Sequence, residues 1–459
     1  MQVEDAVVEG PVEGERAPYG APPPEVLEAH GYVCEEFRIS GVAAAYVHPA
    51  GAPPTADGRW TAEPVATGPF RTRLLVVRPA EAASFTGTVF LEWQNVSAGV
   101  EQPAPTEGEI YRGAAWVGVS AQIAGLYGAP RRRAPGAQRR APLLDADPER
   151  YADLVHPGEP ACFDIFSAAA HAVGPRRSAA VDPLAGLPVA RVVATGGSQS
   201  AMRLCAYANA VHPRHREVDA FLLSVWEGRA PQLDAHADPM YRRTTIRDDL
   251  DVPVLVVNSE FEVTATADLA LEDTPLRRIW EVVGAPHGVG RTFRAPDDGG
   301  WGPNPVSWRP VHEAALRAVH RWLVDGEPPV AQPRITLAGR PIPRIVRGEG
   351  GNAWGGIRLP ELAAPVAEYR GRKGGTGSAP VFGGRRPYPD ALLARLYRSR
   401  AEYVELWGRA VEELVAACVV LPEDAPAMRA RGDEVAASLP VSEGPGEGAP
   451  ERRRGGSNP

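Results

Sequence analysis

Apolar, β-branched runs recur along this chain at Phe37–Val47, Phe70–Val77, Thr88–Trp93 and Ala115–Ala121, and again at Ala190–Ala194, Ala220–Val225, Val252–Val257 and Arg278–Val283. The later runs are continuous rather than alternating, as in strands covered on both faces. Between them the apolar positions take helical spacing around Ala161–Val173, Ser200–Val211 and Val311–Leu323, the last with Ala314, Val319 and Trp322 on its apolar side. Strands alternating with helices predict an α/β architecture, an open and mostly parallel eight-stranded sheet flanked by helices.

The remaining stretches read differently. Residues 1–25 are rich in Pro, Gly and Glu and are expected to be irregular, leaving one main domain over 26–440. Within it, about 124–160 has no strand pattern and carries Arg131, Arg132, Arg133, Arg139 and Arg140, then Asp145, Asp147 and Arg150. A long irregular insertion of this kind reads as a cap or lid. From about 334 to 440 the pattern predicts an extension, Gly- and Pro-rich to Gly384 and then helical over Leu392–Val419. Its stripe of Leu396, Tyr403, Trp407, Val411, Leu414 and Cys418 predicts a packing face. The run from Gly371 to Ser378 is not a phosphate loop, because the lysine precedes the glycines and no strand leads in. Residues 441–459 read as a disordered tail.

Composition narrows the classes. At 459 residues, 44% hydrophobic and 23% charged, the chain has an ordinary globular make-up. A net charge of −8 argues against nucleic-acid binding, and the Arg131–Arg133 and Arg452–Arg454 clusters read as solvated loops. The acidic start is not a signal peptide, and no run approaches the length of a membrane span. Cys34, Cys162, Cys205 and Cys418 have no metal-ligand spacing, so four reduced, mostly buried thiols in a cytoplasmic protein are expected, with no metal and no cofactor. Oligomeric state is not readable.

The chemistry concentrates at Val192–Met202. A β-branched run ends in Gly196-Gly197, Ser198 follows, and a helix-compatible stretch begins. This is close to Gly-x-Ser-x-Gly, the sharp strand-to-helix turn that carries a nucleophilic serine, with Ser200 in the last position. Slim neighbours are needed because the serine backbone is strained there. A base and an acid should follow in chain order. The buried run Asp251–Val257 leads to Asn258-Ser259-Glu260-Phe261-Glu262, and Ile279–Val283 leads to Gly284-Ala285-Pro286-His287. Both fall at the carboxyl ends of strands, where such sheets place their chemistry. His287 is therefore the candidate base. Glu262 is the preferred acid, with Glu260 as the alternative. Eight strands with the serine after the fifth is the α/β-hydrolase arrangement. The oxyanion would face the N–H of Gln199 and a second donor from the loop after an earlier strand, assigned to Asn95 or Val96. His156 reads as structural, as do His171, His212, His215, His312 and His320.

The chain resembles a poorly characterised branch of the α/β-hydrolase superfamily, the "alpha/beta hydrolase domain" proteins with a Gly-x-Ser-Gln-Ser-Ala elbow. The strings that carry the resemblance are Phe90–Ser97, Trp116–Gln122, Asp147–Tyr151, Phe163–Ser167, Gly196–Ala201, Trp280–Gly284, Gly351–Arg358 and Leu421–Asp424, spanning roughly 30 to 435. The resemblance implies a serine hydrolase with Ser198, Glu262 and His287 in its triad, and makes Ser200 expected. Gly197 stands where that group carries glutamate, and Glu262 where aspartate is usual.

These residues predict an enzyme acting on carboxylic ester, lactone or thioester bonds of a small acyl substrate. The same scaffold also serves acyl transfer, lactonisation or cyclisation, and a catalytically dead binding module is the third reading.

Overall fold

The computed structural model describes residues 6–128, 141–234, 241–269, 271–289, 300–339, 341–373 and 379–443. Among these, a nine-stranded sheet forms the centre. Its strands are β1 (Val7–Glu9), β2 (Tyr32–Val47), β3 (Glu63–Pro79), β4 (Thr88–Trp93), β5 (Ala115–Val119), β6 (Arg191–Gly197), β7 (Ala220–Ser224), β8 (Val254–Ser259) and β9 (Arg277–Val282). The spatial order is β1-β2-β3-β5-β4-β6-β7-β8-β9. From β5 to β9 all neighbours run parallel, while β1, β2 and β3 are antiparallel.

All eight expected strands are present. The ninth, β1, corrects the reading of residues 1–25 as irregular: Val7, Val8 and Glu9 pair with Ser40, Ile39 and Arg38 of β2. Three residues give too short a pattern to see in sequence, and the pairing comes from the long β2 edge beside them. The strands β2 and β3 also start earlier than their apolar cores, pairing with each other over the register Tyr32↔Pro79 to Val47↔Glu63.

Alternation along the strands feeds two cores. Leu74, Val76, Leu91, Trp93, Val192, Ala194 and Leu223 pack on one face with the helices α1 (Cys162–Val173) and α2 (Gln199–Ala206). Leu75, Val77, Phe90, Val193, Leu222, Leu255 and Trp280 pack on the other, under α3 (Arg309–Asp325) through Val311, Ala315 and Val319. Both faces being covered explains the continuous apolar runs. A π-helical turn, Tyr207–Val211, continues α2, and it accounts for the longer helix expected to Val211.

The insertion is less irregular than expected. Ile123–Tyr127, Leu143–Ala146 and Pro148–Tyr151 are short helices, and Val155 bridges Arg71 of β3. Asp147 caps the third of these by accepting from the Arg150 N–H. The arginines at 131–133, 139 and 140 lie outside the described residues, as does the tail from 444.

The helix expected over Leu392–Val419 is two, Asp390–Leu396 and α4 (Arg400–Ala416), with Ser399 capping the second. Tyr403, Trp407, Val411 and Leu414 are buried as the stripe requires. Leu396, at the end of the earlier helix, is exposed, and Cys418 sits past the helix end with φ 57° and is exposed too. Of the other cysteines, Cys162 and Cys205 are buried and Cys34 is partly so. Among the described residues no helix is long and apolar enough to cross a membrane.

A buried ionic cluster ties the N-terminal segment and the insertion to the sheet. Arg73 of β3 pairs with Glu101 at 2.6 Å and Glu36 at 3.0 Å, and donates to the Tyr19 carbonyl at 2.9 Å. Arg150 pairs with Glu36 at 2.9 Å and donates to the Arg16 carbonyl at 2.7 Å. Removing one partner of a buried pair leaves an uncompensated charge, which costs far more than a surface pair. Arg73→Ala is expected to lose about 3–5 kcal/mol of stability; a denaturation midpoint equal to that of the wild type would refute this.

Candidate active site

The site sits at the carboxyl edge of the sheet. Ser198 follows β6 with φ 58° and ψ −115°, a conformation that non-glycine residues rarely hold. Such a backbone costs about 1–3 kcal/mol and persists only where its surroundings impose it. They do so here. The Ser198 N–H donates to the Ser224 carbonyl of β7 at 2.9 Å. Ser200 locks the turn, its hydroxyl donating to the Gly197 carbonyl at 2.8 Å and accepting from the Gly197 N–H at 3.2 Å. A Cβ at Gly196 would stand 3.1 Å from Ser200 Cβ and from Leu204 Cδ1, so position 196 must be slim.

Glu262 comes from the first turn of the helix Glu260–Thr266, which follows β8. Its Oε2 accepts from the Ser259 N–H at 2.9 Å and the Ser259 hydroxyl at 2.7 Å, forming a capping box. Its Oε1 is 2.6 Å from Nδ1 of His287. His287 Nε2 is in turn 2.8 Å from Ser198 Oγ. With Oε1 accepting, Nδ1 carries the proton and Nε2 is left to accept from the serine. The structure therefore brings Ser198, His287 and Glu262 into one hydrogen-bonded chain. The longer arm of glutamate has a physical reason: from inside a helix it reaches both the cap behind it and the imidazole ahead.

Glu260 does something else. Its Oε1 meets Arg347 Nη2 at 2.6 Å and the Gly371 N–H at 3.1 Å, and its Oε2 accepts from the Gly284 N–H at 2.8 Å. It joins the helix of Glu262, the loop of His287 and the C-terminal extension, and it does not touch the imidazole. Further braces hold that loop: the Trp308 indole donates to the His287 carbonyl at 3.1 Å, and the Gly288 N–H to the Val381 carbonyl at 2.8 Å.

Burial alone would lower the basicity of His287. The hydrogen bond and charge of Glu262, helped by the charge of Glu227, outweigh it and raise the pKa above the usual 6.5. A raised folded-state value means that this group's contribution to stability is complete below 6.5 and is lost as pH rises through the raised value.

The Gln199 N–H, first of its helix, has no intrahelical acceptor. Beside it, the Asn95 side chain donates to the Gly197 carbonyl at 2.7 Å, and the Val96 N–H faces Gln199 Oε1 at 3.5 Å, the outer limit of a hydrogen bond. The loop at 95–96 thus borders the elbow. Gln199 Nε2 continues to Gln122 Oε1 at 2.8 Å, Gln122 Nε2 to Glu159 Oε1 at 2.7 Å, and Glu159 to Arg203 at 2.7 Å. This polar wall between insertion and elbow was not read from the sequence. Gln122 has one legible signal, its place just after β5; Glu159 and Arg203 meet only through the fold.

The other histidines have local partners or none. His156 donates from Nε2 to the Ala121 carbonyl and accepts at Nδ1 from Gly158, so both nitrogens are used. His171 pairs with Glu217, His215 with Ser167 and Tyr46, His312 with Ser224 and His320 with Thr88. Among the described residues neither ring nitrogen of buried His212 has a hydrogen-bond partner. Among the described residues no group of three or more His, Cys, Asp or Glu side chains is arranged to hold a metal ion.

The profile of the family described as "Alpha/beta hydrolase domain" matches residues 8–430. No curated protein matches the chain. Among solved structures, acetyl xylan esterase 1 from Thermoanaerobacterium sp. JW/SL YS485 is 11% identical with a TM-score of 0.32, over 69% of this chain and 88% of that one. Brefeldin A esterase, a bacterial homologue of human hormone-sensitive lipase, is 12% identical with a TM-score of 0.19, over 41% of this chain and 40% of that one. A prolyl endopeptidase is 13% identical with a TM-score of 0.27, over 55% of this chain and 35% of that one. The chain thus spans well under two thirds of the latter two.

Titration of the His287 imidazole by NMR is expected to show a midpoint above 6.5, and Glu262→Gln should lower it. A midpoint unmoved by that substitution would show that Glu262 does not set the basicity of the ring.

Proposed function

This chain belongs to the alpha/beta hydrolase domain family, and from that footing we propose that it is a serine hydrolase cleaving carboxylic esters of small acyl substrates through an acyl-enzyme on Ser198. The observation that carries the reading is the unbroken relay from Ser198 through His287 to Glu262, at 2.8 and 2.6 Å, with the serine on a strained turn.

In the proposed reaction, Ser198 Oγ attacks the ester carbonyl carbon while His287 Nε2 takes its proton. Glu262 holds the Nδ1–H and stabilises the imidazolium that forms, without itself taking the proton. The carbonyl oxygen becomes an oxyanion facing the Gln199 N–H, with the second donor from Asn95 or Val96. Each such donor is typically worth about a hundred- to a thousandfold in rate. The imidazolium then protonates the departing alcohol, leaving the acyl group on Ser198. Water, deprotonated by the same imidazole, attacks that acyl carbon and releases the acid.

Ser198→Ala is expected to lower kcat on an activated aryl ester by about a millionfold and to abolish labelling by a fluorophosphonate probe. Glu262→Gln keeps an acceptor for the Ser259 cap but disfavours the required tautomer, so a fall of about ten-thousandfold is expected with little change in melting temperature. Full activity in the serine variant would exclude the mechanism.

A further inference from the structure

The strand that ends at Ser198 carries, with its neighbours, a row of polar positions that the reaction above leaves unused. In the sheet register Glu92 of β4 lies beside Thr195 of β6, and Gly197 beside Ser224 of β7. These positions share the face of Phe90, Val193 and Leu222, which is covered by α3. The row is apolar in the middle of the sheet and turns polar at its carboxyl edge. There His312 of α3 reaches down to Ser224, Nδ1 to Oγ at 2.8 Å.

Between Glu92 and His312 the strand carries little bulk. Thr195 is small and Gly197 has no side chain. A Cβ at Gly197 would meet nothing nearer than the Ser224 carbonyl oxygen at 3.8 Å and Ser224 Cβ at 3.9 Å. Unlike many turn glycines, Gly197 has no positive φ to demand glycine. Its effect is a gap beside the nucleophile candidate.

The groups around the gap have spare hydrogen-bonding capacity. Glu92 Oε2 accepts from the Trp116 indole at 2.7 Å. Glu92 Oε1, Thr195 Oγ1 and His312 Nε2 have no hydrogen-bond partner among the described residues, yet none is among the polar atoms sealed from water without one. Burial pushes Glu92 up to about 7 and His312 down to about 4. Both nevertheless keep accessible surface, which fits groups facing an enclosed space. None of these side chains is a standing cation, so the lining offers nothing to an anionic substituent.

We propose that this trough is a substrate subsite that receives a hydroxyl-bearing substituent of the ester, with Glu92, Thr195 and His312 as its hydrogen-bond partners. The inference rests on Ser198 as the nucleophile. A hydroxyl both donates and accepts, so one group satisfies a carboxyl oxygen and an imidazole or threonine together. A plain alkyl chain would strand all three.

The test compares matched pairs that differ by hydroxyl groups. One pair, 4-nitrophenyl butyrate and 4-nitrophenyl 3-hydroxybutyrate, varies the acyl side; the other, propyl butyrate and glyceryl monobutyrate, varies the alcohol side. In at least one pair kcat/KM should favour the hydroxylated ester by about tenfold or more, and the ratio should fall to near unity in Glu92→Leu. If Glu92→Leu does not fold, Gly197→Leu, at a position with room for a side chain, should collapse the same ratio by filling the trough. A readout independent of turnover is calorimetric binding of butyramide, 3-hydroxybutyramide and 3-aminobutyramide to Ser198→Ala. A hydroxyl preference there without ester turnover by the wild type would keep the subsite and sink the nucleophile. Equal behaviour of plain and hydroxylated partners in every arm, or tighter binding of the amino compound, overturns the subsite.

Discussion

The carboxylate of Glu262 is the constraint on which the rest of the site depends. One oxygen closes the cap of its own helix against Ser259, and the other holds the ring of His287. With the side chain wholly buried and both oxygens engaged, the carboxylate is fixed before it meets the imidazole, so little freedom remains to be lost in orienting the ring. The helix start and the relay are therefore a single structural element.

Around that element the molecule places fixed polar groups where water would otherwise be needed. Glu260 joins three segments behind the ring, and the chain from Gln199 through Gln122 and Glu159 to Arg203 backs the elbow. On the far side, Arg73 and Glu36 gather the N-terminal segment and the insertion over the antiparallel strands. Each of these clusters pairs its charges through several partners, with Arg203 Nε and Glu101 Oε1 left without a hydrogen bond among the described residues. That is the condition under which buried charges hold a geometry rather than weaken it.

Much of this was legible in the letters because local rules and the global fold agree. The strands β4 to β9 announce themselves as unbroken apolar runs since helices cover both faces, and Gly196 and Ser198 mark the turn since only small neighbours fit beside it. The position of Glu262 three residues past Ser259 spoke for an acid after a strand, but not for one inside a helix. What stayed hidden depends on distance in sequence. Glu159 meets Arg203 and Glu260 meets Arg347 only after folding, and no periodicity encodes such a meeting. β1 stayed hidden for another reason: its three residues owe their form to the edge of β2. Cys418 looked like part of a helical stripe because spacing does not show where a helix stops.

The braces of the His287 loop have a consequence for how the molecule comes into being. Ser198, Glu262 and His287 leave the ribosome well before Arg347, Gly371 and Val381, which fasten that loop from behind through Glu260 and Gly288. A chain that has emerged only as far as His287 already holds Ser198 and Glu262 but none of these fasteners. The fastening behind the imidazole is complete only once residues as far as Val381 have joined the fold.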